Sequence, residues 1–334
     1  MPGMWMRVST MNELAEAIAS EPEYKIPFRV PDKAKIDVIK KGKIEQSIEI
    51  IERALKPNRK PCLAFSGGSD SSVLLDLMCK AGYKPVIIWA DSQMEYPGTQ
   101  EYIESIASGY GLDLKIAISN RTPLEQWEAT GWPMLGKLAA RLWMQKNRGI
   151  MGFRINVSEC CRAIKIIPAR LMTKKSGCNV QITGQRGKAD DNLRGLRNIK
   201  DGDLYFQVKD NIWVANPLNG WTDSEIKGYI QENKLPEHPA RIRGAKTIGC
   251  VYCGGGCQYT NSGYRVLRKT WPEAWYRFMV EWEGGLIILA LRHKTHLYHI
   301  RMAVEEIGGL DYIAKNMPWL FDFTRKKPIL GYNK

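Results

Sequence analysis

Short apolar runs punctuate the first two thirds of the chain, at residues 63–65, 86–89, 114–118 and 180–182. They are continuous rather than alternating, the pattern of strands covered on both faces, and stretches of helical periodicity such as residues 73–79 and 100–110 lie between them. That alternation predicts a doubly wound α/β sheet with mostly parallel strands. Upstream, residues 43–55 place Ile44, Ile48, Ile51 and Leu55 on one face of an amphipathic helix suited to packing on the sheet. Beyond Gly263 the pattern becomes helical over residues 264–282 and 286–307, whereas residues 1–42 are mixed and turn-prone. The expected organisation is an N-terminal extension (1–42), an α/β domain (43–262) and a helical C-terminal region (263–334). There is no internal repeat and no low-complexity tract.

Composition narrows the functional classes. At 334 residues and 44% hydrophobic content the chain can bury a large core. No apolar run reaches the roughly eighteen residues of a membrane span, and residues 1–7 lack a basic segment followed by an apolar one. A soluble, cytoplasmic protein is the expectation. A formal charge of +14 favours polyanionic partners, either nucleotides or nucleic acid. The eight cysteines, in a chain this long, point to metal binding or redox chemistry rather than to a disulfide framework.

The segment 61–72 reads Pro-Cys-Leu-Ala-Phe-Ser-Gly-Gly-Ser-Asp-Ser-Ser, an apolar strand running into a glycine-rich turn and then a helix beginning near Ser71. Ser66, Gly67, Gly68 and Ser69 lack bulk, so successive N–H groups can converge on one anion, and the helix through Ser71 and Ser72 adds the positive end of its dipole. A nucleotide phosphate is the expected ligand. No lysine follows the second glycine, which excludes the Walker A pattern. Asp70 offers a carboxylate either to Mg²⁺ or to the helix N-cap. In a doubly wound sheet the ligand lies at the carboxyl ends of strands, where Asp91-Ser92 and Thr183-Gly184-Gln185-Arg186 also fall. Arg186, Lys188 and Arg194 are candidates to clamp phosphate or sulfate; each is otherwise a solvated surface charge.

The cysteines form two separated pairs, Cys160-Cys161 and Cys250-Val251-Tyr252-Cys253, with Cys257 shortly after. Four thiolates suit zinc or an iron–sulfur cluster, and buried or catalytic thiols without metal are the third alternative. Adjacent cysteines are awkward for a zinc site, whose ligands usually stand two to four residues apart, so the spacing leans towards iron–sulfur. Lys165 would stand one helical turn from Cys161, where its charge offsets a thiolate-rich centre. In the C-terminal region Arg265, Arg268, Lys269, Trp271, Trp275, Tyr276 and Arg277 combine cations with rings that could stack on bases, against the alternative of aromatics buried in an ordinary core. His293, His296 and His299 recur every third residue and read as a solvated or basic face rather than a metal site.

Several of these segments carry a resemblance. Ser66-Gly67-Gly68-Ser69-Asp70-Ser71 resembles the PP-loop of ATP pyrophosphatases and of the related sulfonucleotide reductases, and Cys160-Cys161-Arg162 through Lys165 to Pro168 resembles the tandem-cysteine segment of adenylyl-sulfate reductases. Residues 89–99, Thr183 to Arg186, Asn216-Pro217-Leu218, Trp221-Thr222 and Thr247 to Cys250 follow in the order of the phosphoadenosine phosphosulfate reductase family, over about residues 60–260. The resemblance implies an adenine nucleotide α-hydrolase-like, Rossmann-like fold and a [4Fe–4S] cluster on Cys160, Cys161, Cys250 and Cys253. Nucleotide binding is implied for residues 66–72, Asp91, Gly184 and Arg186, and chemistry for Asp70, Lys165, Arg186 and Cys257. The family's reducing nucleophile is a cysteine in a C-terminal glycine-containing segment, and residues 258–334 contain none. With the loop intact, the expected activity is that of an ATP pyrophosphatase with ATP and Mg²⁺: cleavage to AMP and pyrophosphate activates an acceptor for sulfur insertion, with Cys257 as a persulfide carrier. Adenylyl-sulfate or phosphoadenylyl-sulfate reduction and a non-catalytic nucleotide-binding protein are the alternatives. Expected partners are ATP or a sulfonucleotide, and a sulfur donor of the cysteine desulfurase or thioredoxin-like kind. DNA or RNA as acceptor, and a second copy of the chain in a homo-oligomer, complete the set.

Overall fold

The computed structural model describes residues 42–134, 155–187, 202–245, 248–253 and 263–282, with a few isolated helical positions besides. Strands β1 (Pro61–Ala64), β2 (Val86–Asp91), β3 (Leu114–Ile118), β4 (Val180–Thr183), β5 (Leu204–Gln207) and β6 (Ile212–Ala215) form one sheet in the order β3-β2-β1-β4-β6-β5. All neighbours pair in parallel except β5, which runs antiparallel to β6 at one edge. The chain winds outward from β1 through β2 to β3, then restarts at β4 on the other side. This reversal between β1 and β4 is the switch point at which α/β sheets bind ligands.

Both faces of the sheet are covered, as the continuous apolar runs require. Leu63 and Phe65 pack with α1 (Lys43–Ala54), α2 (Ser69–Lys80), α3 (Thr99–Gly109) and α7 (Asp223–Glu232) in the main core. On the opposite face Cys62, Ile88 and Ala117 meet Ala169 and Met172 of α6 (Ile167–Lys175). Leu63, Val73, Leu74, Ile87 and Ile182 are fully buried, each such side chain contributing roughly 1.5–3 kcal/mol. That burial on both faces pins β1, and therefore the loop that follows it.

Polar ties fix the helices that border the site. The α7 N-terminus carries a capping box of Thr222 and Glu225, and buried Glu225 accepts from Lys43 of α1 at 2.6 Å. Ser47 donates to Pro217 O (2.8 Å) and accepts from Trp221 Nε1 (2.9 Å), so the Asn-Pro-Leu and Trp-Thr segments serve to seat α7 on α1. Asp76 of α2, nearly buried, accepts from Tyr110 (3.0 Å) and Tyr229 (2.7 Å) and pairs with Lys80.

The expected helices and strands of residues 43–118 and 180–182 are present with small shifts of boundary: the helix expected near Ser71 begins at Ser69. The helix expected over 264–282 is broken at Trp271 into Gly263–Thr270 and Pro272–Tyr276, and the one expected over 286–307 lies outside the described residues. The β5–β6 hairpin is additional. It turns through a 3₁₀ segment, Val208–Asp210, with Asn211 in the left-handed region (φ 51°). A further departure lies between α5 (Val157–Cys161) and α6, where Arg162–Ile166 forms a π-helical turn and the Ile167 N–H reaches back to Arg162 O. Pro168, just inside α6, has no N–H to give, and widening the preceding turn accommodates it.

Candidate nucleotide and thiol site

The loop after β1 is held in shape by its own hydroxyls. Ser71 Oγ donates to Gly68 O (2.9 Å), and the Gly68 N–H donates to Ser66 Oγ (3.3 Å). Gly67 takes φ +73°, a conformation that side chains rarely adopt, and a Cβ there would stand 3.3 Å from His238 and 3.4 Å from Tyr102. Gly68 is the N-cap of α2 and offers no side chain to cap it, so the first-turn amides face the cleft with the positive end of the helix dipole. Asp70 is therefore not the N-cap. It stands in the first turn and pairs with Arg186.

Gly184, at the end of β4, lets that strand's exit loop lie against α2: a Cβ there would come within 3.1–3.2 Å of Asp70 and the Ser71 nitrogen. This close approach aims Arg186 at the loop. Its Nε lies 3.2 Å from Asp70, Nη2 lies 2.6 Å from Asp223, and Nη1 donates to Trp221 O at 3.3 Å. Burial opposes the guanidinium charge, but Asp70 and Asp223 outweigh it and raise the Arg186 pKa. The cleft, about 460 Å³, is walled by Ser66, Gly68, Ser69, Asp70 and Ser71 on one side and by Arg186, Asp223, Lys227 and Arg241 on the other. Lys227 forms no ion pair among the described residues, and Arg241 of α8 (Pro239–Ile242) reaches only Glu237 at 3.5 Å.

Beside this cleft, at the end of β2, a second group assembles around the cysteines. Asp91 accepts from the Gln93 N–H (2.7 Å), shaping a turn in which Gln93 has φ 59°, and burial raises the Asp91 pKa. In that turn Ser92 donates to Glu95 (2.7 Å) and receives the Cys250 thiol (3.2 Å), while the Val251 N–H donates to Met94 O (2.7 Å). Glu95 also accepts from Lys165 at 3.0 Å. From α4 (Pro123–Thr130), Trp127 Nε1 donates to Cys160 Sγ at 3.3 Å. Cys160 feels the fields of Cys161, Cys250 and Cys253; burial is the larger effect, and together they push its thiol well up. Burial also opposes the Lys165 ammonium, yet Cys250 and Glu95 more than compensate and raise it. The chain thus brings both cysteine pairs and Lys165 into one electrostatic neighbourhood. Among the described residues no three metal-ligating side chains already stand close enough to hold a single ion.

His238 joins the two groups. Its Nδ1 accepts from the Ala240 N–H (3.1 Å), so Nε2 carries the proton and donates to Thr99 Oγ1 (3.1 Å), which donates to Tyr96 O (2.6 Å). Its ring meanwhile abuts Gly67. Burial lowers its pKa to about 4, against about 6.5 in an unfolded chain. The neutral form is the folded form, so this stability is present above pH ~6.5 and is lost as pH falls towards 4. At about 1.4 kcal/mol per pKa unit the loss is on the order of 3 kcal/mol. Chemical denaturation at pH 7 and pH 4.5 is expected to show a steeper acid loss in the wild type than in His238→Gln; equal slopes would contradict this role.

Lys227, Arg241, Asp223, His238 and Trp127 have no place in the sequence reading. They come from elements distant in the chain, and only the fold collects them. Cys257, Lys188, Arg194 and the three C-terminal histidines lie outside the described residues. The base-stacking reading of the C-terminal aromatics meets a correction: Trp275, Tyr264 and Phe278 are buried core residues, and Trp271 packs on Tyr96 at 5.2 Å beneath Arg243. Tyr276 and Arg277 alone of the named group's described ring and arginine side chains stay exposed. No helix among the described residues is long and apolar enough to cross a membrane.

A glycine-rich loop opening a helix at the switch point of a parallel sheet, faced by cations from three other segments, defines a nucleotide-binding α/β protein of the PP-loop type. The phosphoadenosine phosphosulfate reductase domain model matches residues 60–255, and the chain belongs to that family. It is accordingly an enzyme that acts on sulfonucleotides or in related sulfur transfer. The adenosine 5'-phosphosulfate reductase of Pseudomonas aeruginosa is 27% identical over 227 residues, covering 67% of this chain and 77% of that one. The corresponding enzyme of Halalkalibacterium halodurans is 26% identical over 211 residues, covering 63% and 80%. Among solved structures, the phosphoadenylyl-sulfate reductase of Candida auris aligns over 72% of this chain and 95% of its own at 19% identity, with a TM-score of 0.44. A U34-tRNA thiolase of Methanococcus maripaludis with its [4Fe-4S] cluster aligns over 73% and 80% at 17% identity, with a TM-score of 0.39.

Proposed function

We propose that the protein is an ATP-dependent sulfurtransferase that splits ATP between its α and β phosphates. The observation that carries this reading is the cleft itself: an intact Ser-Gly-Gly-Ser-Asp-Ser loop faced by Arg186, Lys227 and Arg241. Three cations and an uncapped helix end suit a pyrophosphate leaving group, which carries more charge than the sulfate end of a sulfonucleotide. An acceptor oxygen attacks the α phosphorus, the bond to the bridging oxygen breaks, and pyrophosphate leaves onto the loop amides. Those donors are already in place before charge develops, so they stabilise the transition state without reorganising. A sulfur nucleophile then displaces AMP from the adenylated acceptor. Asp70 would supply a carboxylate oxygen to Mg²⁺, the hard cation that accompanies ATP.

The four thiols suit a [4Fe–4S] cluster by chemistry and surroundings: two pairs from separate segments, a donor N–H from Trp127 and a nearby ammonium from Lys165. Cys160, Cys161, Cys250 and Cys253 would hold it, and when bound it supplies a sulfur-carrying or structural centre. Lys165 and Glu95 then set the charge at its edge. The net charge of +14 fits a nucleic-acid acceptor, DNA or RNA. Sulfonucleotide reduction is the second reading, favoured by the names of the curated relatives.

Magnesium pyrophosphate without a nucleoside tests the leaving-group site. Titration calorimetry is expected to show binding to the wild type, weakened about two- to fivefold by Lys227→Ala or Arg241→Ala, modest because both ends are solvent-screened. Unchanged affinity in both variants would remove these residues from the site.

A further inference from the structure

Both groups described above lie at the carboxyl ends of the strands; a separate pair of thiols lies towards the other end. Cys62 is the second residue of β1 and fully buried, and Cys178 sits in the turn from α6 to β4, 7% exposed. Their side chains belong to one small buried cluster. Thr173 Oγ1 lies 3.8 Å from Cys62 Sγ, and Cys178 Sγ stands 3.7 Å from Pro61 O and 3.8 Å from Ser176 O. Ile88, Ala117 and Met172 close an apolar nest around them.

We propose that Cys62 and Cys178 form a reversible redox site, converted to an intramolecular disulfide by a low-molecular-weight disulfide or a peroxide. The two cysteines have different parts to play. Cys178 lies between exposed Gly177 and Asn179, and Gly177 takes φ +66°, so an oxidant meets the chain at this turn. The Lys60 ammonium, anchored to Ser176 O at 2.8 Å, stands beside this turn and favours a thiolate there. Cys62, fully buried within β1, is out of an oxidant's reach and keeps its proton. Cys178 is therefore the attacking thiolate and Cys62 the resolving thiol.

With oxidised glutathione, the Cys178 thiolate displaces one glutathione thiolate to give a mixed disulfide. Cys62 then displaces the second glutathione, its proton passing to the departing glutathione thiolate, so two protein thiols are oxidised and one glutathione disulfide is reduced to two thiols. With hydrogen peroxide, Cys178 becomes a sulfenic acid and Cys62 displaces water from it, two waters forming per peroxide. Cys62 meets only Cys178, so its burial does not prevent the second step. The product would join β1, which leads into the nucleotide loop, to the far end of the helix whose other end follows the Cys160–Cys161 pair.

The test uses the whole chain with its metal retained, treated anaerobically with oxidised glutathione, blocked with maleimide in denaturant and digested for mass spectrometry. The expected result is a dithiothreitol-sensitive peptide pair containing Cys62 and Cys178, with a higher thermal midpoint because a long loop has been closed. In Cys62→Ser, glutathione is expected to remain on Cys178; in Cys178→Ser, Cys62 is expected to stay unmodified. Full maleimide labelling of both cysteines in the oxidised wild type would overturn the proposal, as would glutathione persisting on Cys178 while Cys62 stays free.

Discussion

Cys250→Ser, purified without oxygen, is expected to lose most of its iron and its visible absorption, falling from about four irons per chain, the content of a [4Fe–4S] cluster, to a small residue of that. Cys250 is the thiol most enmeshed in its surroundings: it touches Ser92, and the Val251 N–H next to it holds Met94 O. Serine keeps the size and the hydrogen bond but removes the soft thiolate that iron requires. Cys79→Ser, at a cysteine of α2 on the far side of the sheet, is the matched control and is expected to keep full iron. Equal iron in both variants, measured alongside circular dichroism to confirm folding, would mean that the Cys250 pair is not a ligand set.

Arg186→Ala is expected to weaken ATP binding about a hundredfold or more, the loss of two charge-assisted contacts at roughly 1.5–3 kcal/mol each. Removing the guanidinium costs more than its own contacts. Asp223 is left facing the phosphates unneutralised, 2.6 Å from where the cation stood. Asp223→Asn separates these effects, because it removes a competing anion and leaves Arg186 in place. Its affinity for ATP is expected to rise, and by only a few-fold, since Asp223 is three-quarters exposed and salt screens it. An Asp223→Asn protein that bound ATP as weakly as Arg186→Ala would show that the Arg186–Asp223 pair is needed intact rather than opened by ligand.

The fold was legible because strands buried on both faces leave continuous apolar runs, as residues 86–89 and 114–118 do. The β5–β6 hairpin escaped that signal. β5 is an edge strand with half-exposed side chains, and its polar Gln207 and the Val208–Asp210 turn break any run. At the site, the glycine-rich loop and cysteine pairs are local patterns and so were readable. The opposing wall was not: Asp223, Lys227 and Arg241 come from α7 and α8, where nothing in the spacing distinguishes a phosphate-facing cation from a solvated one. Asp70 shows the limit of a local reading most clearly, since the loop alone suits it to Mg²⁺ or to capping while the fold gives it Arg186. The arginine and aromatic residues after Gly263 show the reverse case, a suggestive composition that burial of Trp275 and Phe278 turns into core.

The most direct test of the central claim is anaerobic: iron-loaded protein with Mg²⁺ is given ATP, with and without nucleic acid, or adenylyl sulfate with a dithiol, and the products are separated. The account predicts AMP and pyrophosphate from ATP and no sulfite from adenylyl sulfate. Sulfite from adenylyl sulfate with ATP left intact would contradict it and place the protein among the sulfonucleotide reductases.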